Sequence, residues 1–448
     1  MSKNYKKLVF CVWMILCIIF SACAQPNNVD VELYQPNSLT ISFYDTSENL
    51  YGFTWNTKAE PINPVLQIQE GEKLSQRHCR EYEPTVSVAT TYEDIEGIVE
   101  YYILKVEIVL EPLKIYSYRV YDKNAKVGSS IATLETKDLQ SETFSFAHVS
   151  DSQTVEENSF IDLGGTFGTT LSQIVEKNDF IVHTGDVVHT AYYERNWTAM
   201  LGDNFAYLSK IPMMAISGNH ETIYHSPNNN ETFKHFNNKI PEQTSTSSGY
   251  YYSFNYGNAK FIMLNTFAGR VGLELEQYNW LISELKNNTA TWTIVAMHCP
   301  MYSVGKWGAD PTRNTLSLDL RSQLQGVFNE YGVDIVLQGH DHTISRTYPI
   351  DDSGNPNKDI WIEENGIEYS VDPNGVIYLM NGPAGSQARA PYEIDSTLYD
   401  YAEESKSSSW ADISINGNKL KVSVKYFDGE KSQTYYEWGI KKSENFME

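Results

Sequence analysis

The sequence predicts two structural units in tandem: a β-sandwich over residues 31–138, then an α/β domain over 143–448, built as a two-layer β-sandwich flanked by helices. Three observations carry this expectation. Residues 31–137 alternate short β-rich runs with polar turns and contain no amphipathic helix of useful length, the pattern of a sandwich. From Thr143 onward, apolar runs of strand length are joined by helical or long excursions, the pattern of sheets covered by helices. The C-terminal region carries an alternating hairpin, "WADISINGNKLKVSVKYFDG" (410–429), with Asn416-Gly417 at its turn. A chain of 448 residues has room for two or three such units.

The first element is a targeting segment, residues 1–23. Lys3, Lys6 and Lys7 precede the apolar run "LVFCVWMILCIIF" (8–20), and Ser21, Ala22 and Cys23 follow it. The run is shorter than the roughly 20 apolar residues of a membrane span. "FSAC" (20–23) resembles the lipobox of bacterial lipoproteins. That resemblance implies lipidation of Cys23 and an exported protein, at the bacterial outer membrane or in the periplasm, whose only membrane contact is the lipid. Ordinary cleavage and secretion is the alternative. Cys11 and Cys17 also belong to the leader, leaving Cys79 and Cys299 in different units, so no disulfide framework or cysteine metal site is expected.

In the sandwich, "LTISFYD" (39–45), "LYGFTWNT" (50–57), "EYYILKVEIV" (100–109) and "YSYRVYD" (116–122) read as strands. "WNT", "LEPLKIYSYRVYD" and "ATLETKD" together resemble a fibronectin-III-like domain of the kind that precedes the catalytic domain of purple acid phosphatases.

In the second unit, "FSFAHVSD" (144–151), "DFIVHTGDVV" (179–188), "PMMAISGNHE" (212–221), "AKFIMLNT" (259–266), "TWTIVAMHCP" (291–300), "VDIVLQGHDH" (333–342) and "GVIYLMNGPAG" (375–385) read as strands and their exits. Residues 163–177 and 320–332 supply helices. The polar stretches 222–249 and 351–374 are expected to run over the surface near the site.

What these strands share is their ends. Asp151, Asp186, Asn219, His298, His340 and His342 all come at or just after the carboxyl end of an apolar run, where open α/β sheets bind ligands. Any one of them alone reads as a turn or a cap. Six carboxylate, amide and imidazole groups at one structural position make a different case. Two cations about 3.5–4 Å apart require a bridging carboxylate and neutral donors to complete each shell. "GHDH" (339–342) then gives one imidazole to each metal, with Asp341 free to hold the turn. The net charge of −23, with no basic stripe, argues against nucleic acid as a stable partner. Metal ions would supply the positive charge that an anionic phosphate ester substrate requires.

"GD", "GNHE", "MHCP" and "GHDH" occur in the order of the calcineurin-like metallophosphoesterase superfamily over roughly 143–400, and with the sandwich the chain resembles purple acid phosphatases. The resemblance implies a metal-dependent phosphoesterase with two metal ions (iron, zinc or manganese), favouring phosphate monoesters over diesters. It implies that Asp186 bridges, that Asn219, His298 and His340 complete one metal, and that Asp151 and His342 complete the other. It assigns His220 to phosphate contact and leaving-group protonation. Three departures stand out. Gln153 occupies the third position of the first motif, His189 stands where the purple enzymes have a tyrosine ligand, and "SVGKWGADPTR" (303–313) replaces further histidines. His189 is therefore either a substitute ligand or a loop histidine, Tyr192 and Tyr193 are displaced from that position, and Trp307, Lys306 or Arg313 shape the pocket. A surface-binding protein with a decayed metal site is the competing reading. The sequence leaves oligomeric state undetermined.

Overall fold

The structure, a computed structural model, describes residues 30–93, 97–154, 164–222, 232–247, 249–267, 272–358 and 360–443. The leader and Cys23 lie outside the described residues. Among those residues, no helix is long and apolar enough to cross a membrane.

The sandwich is built from β1 (Asn37–Asp45), β2 (Leu50–Thr57), β3 (Pro64–Glu70), β4 (Arg80–Tyr82), β5 (Thr85–Glu93), β6 (Gly97–Val109), β7 (Ile115–Asp122), β8 (Val127–Gly128) and β9 (Ala132–Glu135). One sheet has the order β1-β2-β6-β5; the other runs β4-β3-β7-β8, with β9 also paired to β7. Alternate side chains face inward, as the period of two requires. Phe53 meets Tyr118 edge to face with ring centroids 5.3 Å apart, amid buried Leu66, Ile68, Leu104 and Val120.

The second unit packs two sheets face to face. Its strands are β10 (Thr143–Val149), β11 (Phe180–His183), β12 (Met213–Ala215), β13 (Tyr252–Tyr256), β14 (Ala259–Met263), β15 (Trp292–Ala296), β16 (Ile335–Gln338) and β17 (Ile344–Thr347). They continue as β18 (Ile360–Glu364), β19 (Ile367–Val371), β20 (Ile377–Asn381), β21 (Tyr399–Glu403), β22 (Ser409–Asn416), β23 (Lys419–Phe427) and β24 (Ser432–Lys441). The sheet orders are β12-β11-β10-β22-β23-β24-β19-β18 and β13-β14-β15-β16-β20-β17-β21. The parallel strands β11, β15, β16 and β20 are buried at every position, because both faces of a parallel sheet are covered. Phe146, Phe180, Phe261, Ile294, Leu337 and Ile413 fill the space between the sheets.

Helices close the outer faces. α1 (Gly165–Ile174) lays Phe167, Leu171 and Ile174 against the first sheet, while α2 (Leu275–Lys286) and α4 (Thr315–Glu330) cover the second. Between them comes one short turn of helix, α3 (Lys306–Ala309). The stretch 351–374, expected as a surface excursion, instead contains the β18–β19 hairpin, which extends the first sheet because Tyr369 to Val371 pair in parallel with Gly439 to Lys441. β24 was not anticipated either. Its buried residues are bunched at Trp438, Gly439 and Ile440 rather than alternating along the strand.

The two units share one core. Phe43 of β1 meets Phe180 at 5.5 Å and Tyr256 at 5.6 Å between ring centroids. Polar groups complete the contact: Tyr118 Oη donates to the Ser209 carbonyl at 2.7 Å, Thr40 Oγ1 to that of His235 at 2.6 Å, and Ser42 Oγ to that of Asn237 at 2.6 Å.

Candidate metal centre

Five strand exits deliver the site. Asp151 follows β10, Asp186 follows β11, Asn219 follows β12, His298 follows β15, and His340 and His342 follow β16. The exits are tightly folded. Asp151, Asp186, His340 and His342 all adopt the left-handed backbone region, with φ of 51°, 54°, 77° and 54°. That conformation costs side-chain-bearing residues energy and clusters at functional sites.

The side chains converge into two groups that share a carboxylate. Asp186, His298 and His340 form one, and Asp151, Asp186 and His342 form the other; within each group the donor atoms lie within 4.8 Å of one another. His298 Nε2 is 3.1 Å from Asp186 Oδ2 and 3.3 Å from Asn219 Oδ1, and His342 Nε2 is 3.1 Å from Asp151 Oδ1. Two carboxylates and three imidazoles, nearly all buried, are a donor set suited to first-row cations.

The outer contacts fit the same role. His298 Nδ1 lies 2.7 Å from the Thr184 carbonyl and His342 Nδ1 2.6 Å from that of Gln387. Each Nδ1–H is thereby donated to backbone, leaving Nε2 as a lone-pair donor aimed into the cluster, the outer shell found around metal-binding histidines. Two neighbouring ions fit the residues present.

The electrostatics follow from burial and charge. Burial alone would raise both aspartates, but the imidazoles of His342 and His298 hold Asp151 low, and those of His298 and His220 hold Asp186 low. Burial would lower His298, yet Asp186 pushes it up to about 9, so a cation bound at its Nε2 would displace a proton. Burial and the neighbouring His298 bring His340 down to about 3.

His220 sits at the edge of the cluster. Its backbone N–H donates to Asp186 Oδ1 at 3.0 Å, its Nδ1 lies 2.6 Å from the His189 carbonyl, and its Nε2 is 3.8 Å from Asp186 Oδ2. Its side chain is 28 % exposed, against 0 % for His298 and 2 % for His342. His189 is in neither ligand group; its ring lies 4.8 Å from that of His220. Gln153 is buried, and its Oε1 has no hydrogen-bond partner among the described residues.

Three parts of the site were not read from the sequence. The buried Glu221 carboxylate accepts the backbone N–H groups of Gly218 at 2.7 Å, Asp186 at 2.9 Å and Val188 at 3.1 Å, and burial with the nearby Asp186 charge raises it to about 7. The only available signal was its place in "GNHE". Gly218 permits this arrangement, since a Cβ there would come within 2.1 Å of Asp186 Oδ1. The carbonyls of Thr184 and Gln387 leave no trace in side-chain identity. Arg389, whose backbone N–H donates to the His342 carbonyl at 3.3 Å, lies on a loop that carries no motif.

Residues 144–344 match the calcineurin-like phosphoesterase family. Purple acid phosphatase 15 of Arabidopsis thaliana is 23 % identical over 406 residues, spanning 80 % of this chain and 70 % of that one. Acid phosphatase type 7 of Homo sapiens is 30 % identical over 237 residues, 48 % of this chain and 50 % of that one. The matched stretches thus span between 50 % and 70 % of these two relatives' lengths. In fold it is similar to a purple acid phosphatase from yellow lupin (Lupinus luteus) seeds, with a TM-score of 0.70 at 17 % identity, covering 92 % of this chain and 76 % of that one.

Proposed function

From a chain that carries a calcineurin-like metallophosphoesterase domain and has purple acid phosphatases among its relatives, we propose an exported, metal-dependent phosphatase that hydrolyses phosphate monoesters. The observation that carries this is the shared carboxylate. Asp186 belongs to both ligand groups, the arrangement that a pair of adjacent cations requires. Asp186, Asn219, His298 and His340 would hold one ion and Asp151, Asp186 and His342 the other. When bound, such ions supply positive charge to the phosphate and acidify water.

The remaining roles belong to the chain. Thr184 and Gln387 orient the ligand imidazoles through their carbonyls. His220 donates its Nδ1–H to the His189 carbonyl, so Nε2 of this partly exposed side chain is the atom that contacts the phosphate and moves a proton to the leaving oxygen. Glu221 holds the loops that carry Asp186 and Asn219. Export rests on the leader sequence and a lipid on Cys23.

Metal content per chain, measured with turnover of a phosphate monoester, tests this reading. Two equivalents and turnover are expected, with Asp186→Asn and His298→Ala each folded, metal-poor and inactive. Full activity in either variant overturns it. The second reading, a binding protein with a decayed site, draws on Gln153 and His189 standing where the purple enzymes carry other residues; it predicts no stoichiometric metal after reconstitution.

A further inference from the structure

The segment that replaces the expected histidines is fastened to the ligand loop. Asp341, between the ligands His340 and His342, accepts the backbone N–H of Trp307 at 2.8 Å and of Gly308 at 2.9 Å, so its buried carboxylate caps the short helix α3. This places the Trp307 ring 5.2 Å from the ring of His340, centroid to centroid. The Arg313 guanidinium lies over the same indole at 5.1 Å.

A second arginine is tied to the other end of that loop. The Arg389 backbone N–H donates to the His342 carbonyl at 3.3 Å and to Ser405 Oγ at 3.0 Å. Its guanidinium reaches back to the His340 carbonyl, Nη1 to O 3.5 Å. Lys306, at the start of α3, is exposed and shares Asp310 with Arg313 as a charged neighbour.

These cations are only partly matched: Asp310 attracts Arg313 and Lys306, and the buried Asp341 attracts Arg389. Among the described residues Arg389 and Lys306 make no ion pair, and Arg313 meets only Asp310, at 4.0 Å with its side chain 45 % exposed. A pair that long and that exposed contributes little. The protein as a whole carries −23, so a cluster of cations around His340 is not a sample of the average surface. Fixed cations beside a phosphate site recognise negative charge beyond the reacting group.

We propose that Arg313 and Arg389, with Trp307 as the wall between Arg313 and the metal centre, form a subsite for a second anionic group on the leaving group, so that the preferred substrate is a phosphate monoester whose alcohol or phenol itself bears a carboxylate or phosphate. This rests on the phosphatase reading and narrows its substrate class. Lys306 adds charge to the rim without a fixed geometry. The Trp307 indole holds the Arg313 guanidinium by cation–π attraction, so the arginine meets the ligand already oriented.

The test uses the metal-loaded full chain and a matched pair of substrates, phenyl phosphate and para-carboxyphenyl phosphate. The wild type is expected to favour the carboxylated ester in kcat/KM by about tenfold, the scale of one charge-assisted hydrogen bond. Arg389→Gln and Arg313→Gln should each bring that ratio close to one, chiefly through KM, and high salt should reduce it in the wild type alone. A wild-type ratio of one, or variants that keep the wild-type ratio, overturns the subsite. If the metal-loaded wild type hydrolyses neither ester, the phosphatase reading fails by itself. Calorimetric binding of phenylphosphonate and para-carboxyphenylphosphonate then judges the subsite by the same ratio.

Discussion

Glu221 receives the backbone N–H of Asp186 on its carboxylate at 2.9 Å, so the residue shared by both ligand groups is held in place by an acid that is in neither group. All three groups facing that carboxylate are donors, and an amide would turn its own NH2 against one of them. Glu221→Gln should therefore lower stability by about 2 kcal/mol and weaken metal binding by roughly 10- to 100-fold. Denaturant unfolding and a chelator competition titration measure the two effects. Unchanged metal affinity would mean that the Asp186 turn keeps its shape unaided.

Removing the ions should destabilise the whole chain. Without them, two fully buried carboxylates are balanced only by imidazoles. Ions at about 1,000 times their Kd stabilise by about 4 kcal/mol per site. Scanning calorimetry with chelator should show a fall in Tm on the order of 5–10 °C, reversed by added metal. Asp186→Asn should show neither the fall nor the recovery.

The capping of α3 by Asp341 has a steric condition. A Cβ at Gly305 would lie 2.4 Å from the Asp341 carboxyl carbon, so Gly305→Ala must push the carboxylate off the Trp307 and Gly308 amides. About 2 kcal/mol of stability should be lost, and indole fluorescence should report a looser Trp307. A variant as stable as wild type, with unaltered fluorescence, would show the cap to be dispensable.

Lys105, on β6, gives a pH prediction far from the metals. Its Nζ donates to the Phe236 carbonyl at 2.6 Å, and burial lowers its pKa to about 8 from 10.5, with Glu107 opposing. The folded state therefore gives up this proton before the unfolded state does. The cost of holding the charge is full below about pH 8 and disappears above about 10.5. Lys105→Met should exceed wild type in stability by about 1–2 kcal/mol at pH 7, discounting for the partial exposure of the side chain and for the lost hydrogen bond to Phe236. That advantage should shrink between pH 8 and 10.5. An advantage independent of pH would assign the effect to packing instead.

The sequence exposed those parts of the molecule whose chemistry is local. Strand exits ending in Asp, Asn or His marked the ligands, and apolar runs marked the buried parallel strands. Longer-range partners left no such mark. β24 buries only Trp438, Gly439 and Ile440, too few in the wrong spacing to read as a half-buried strand, and β18 is legible only through the pairing of β19 with β24. Glu221 resembles any motif glutamate until its three amide donors are seen. The left-handed turns at Asp151, Asp186, His340 and His342 are only weakly signalled by residue type, since Asp and His visit this region more often than most side chains but seldom, and the assembled cluster over-determines them.

The shared core also fixes how the molecule comes into being. A chain is synthesised from its N-terminus, and domains generally fold as they emerge. Here the first unit cannot finish alone: Phe43 has no complete environment until Phe180 and Tyr256 arrive, more than a hundred residues later in the chain. A sandwich waiting in that state presents a bare aromatic face to solvent, and to other nascent copies. Exchanging this sandwich for another in a chimaera must therefore carry over the matching aromatic face, and shortening the chain to its second unit would strip the roof from β11 and β13.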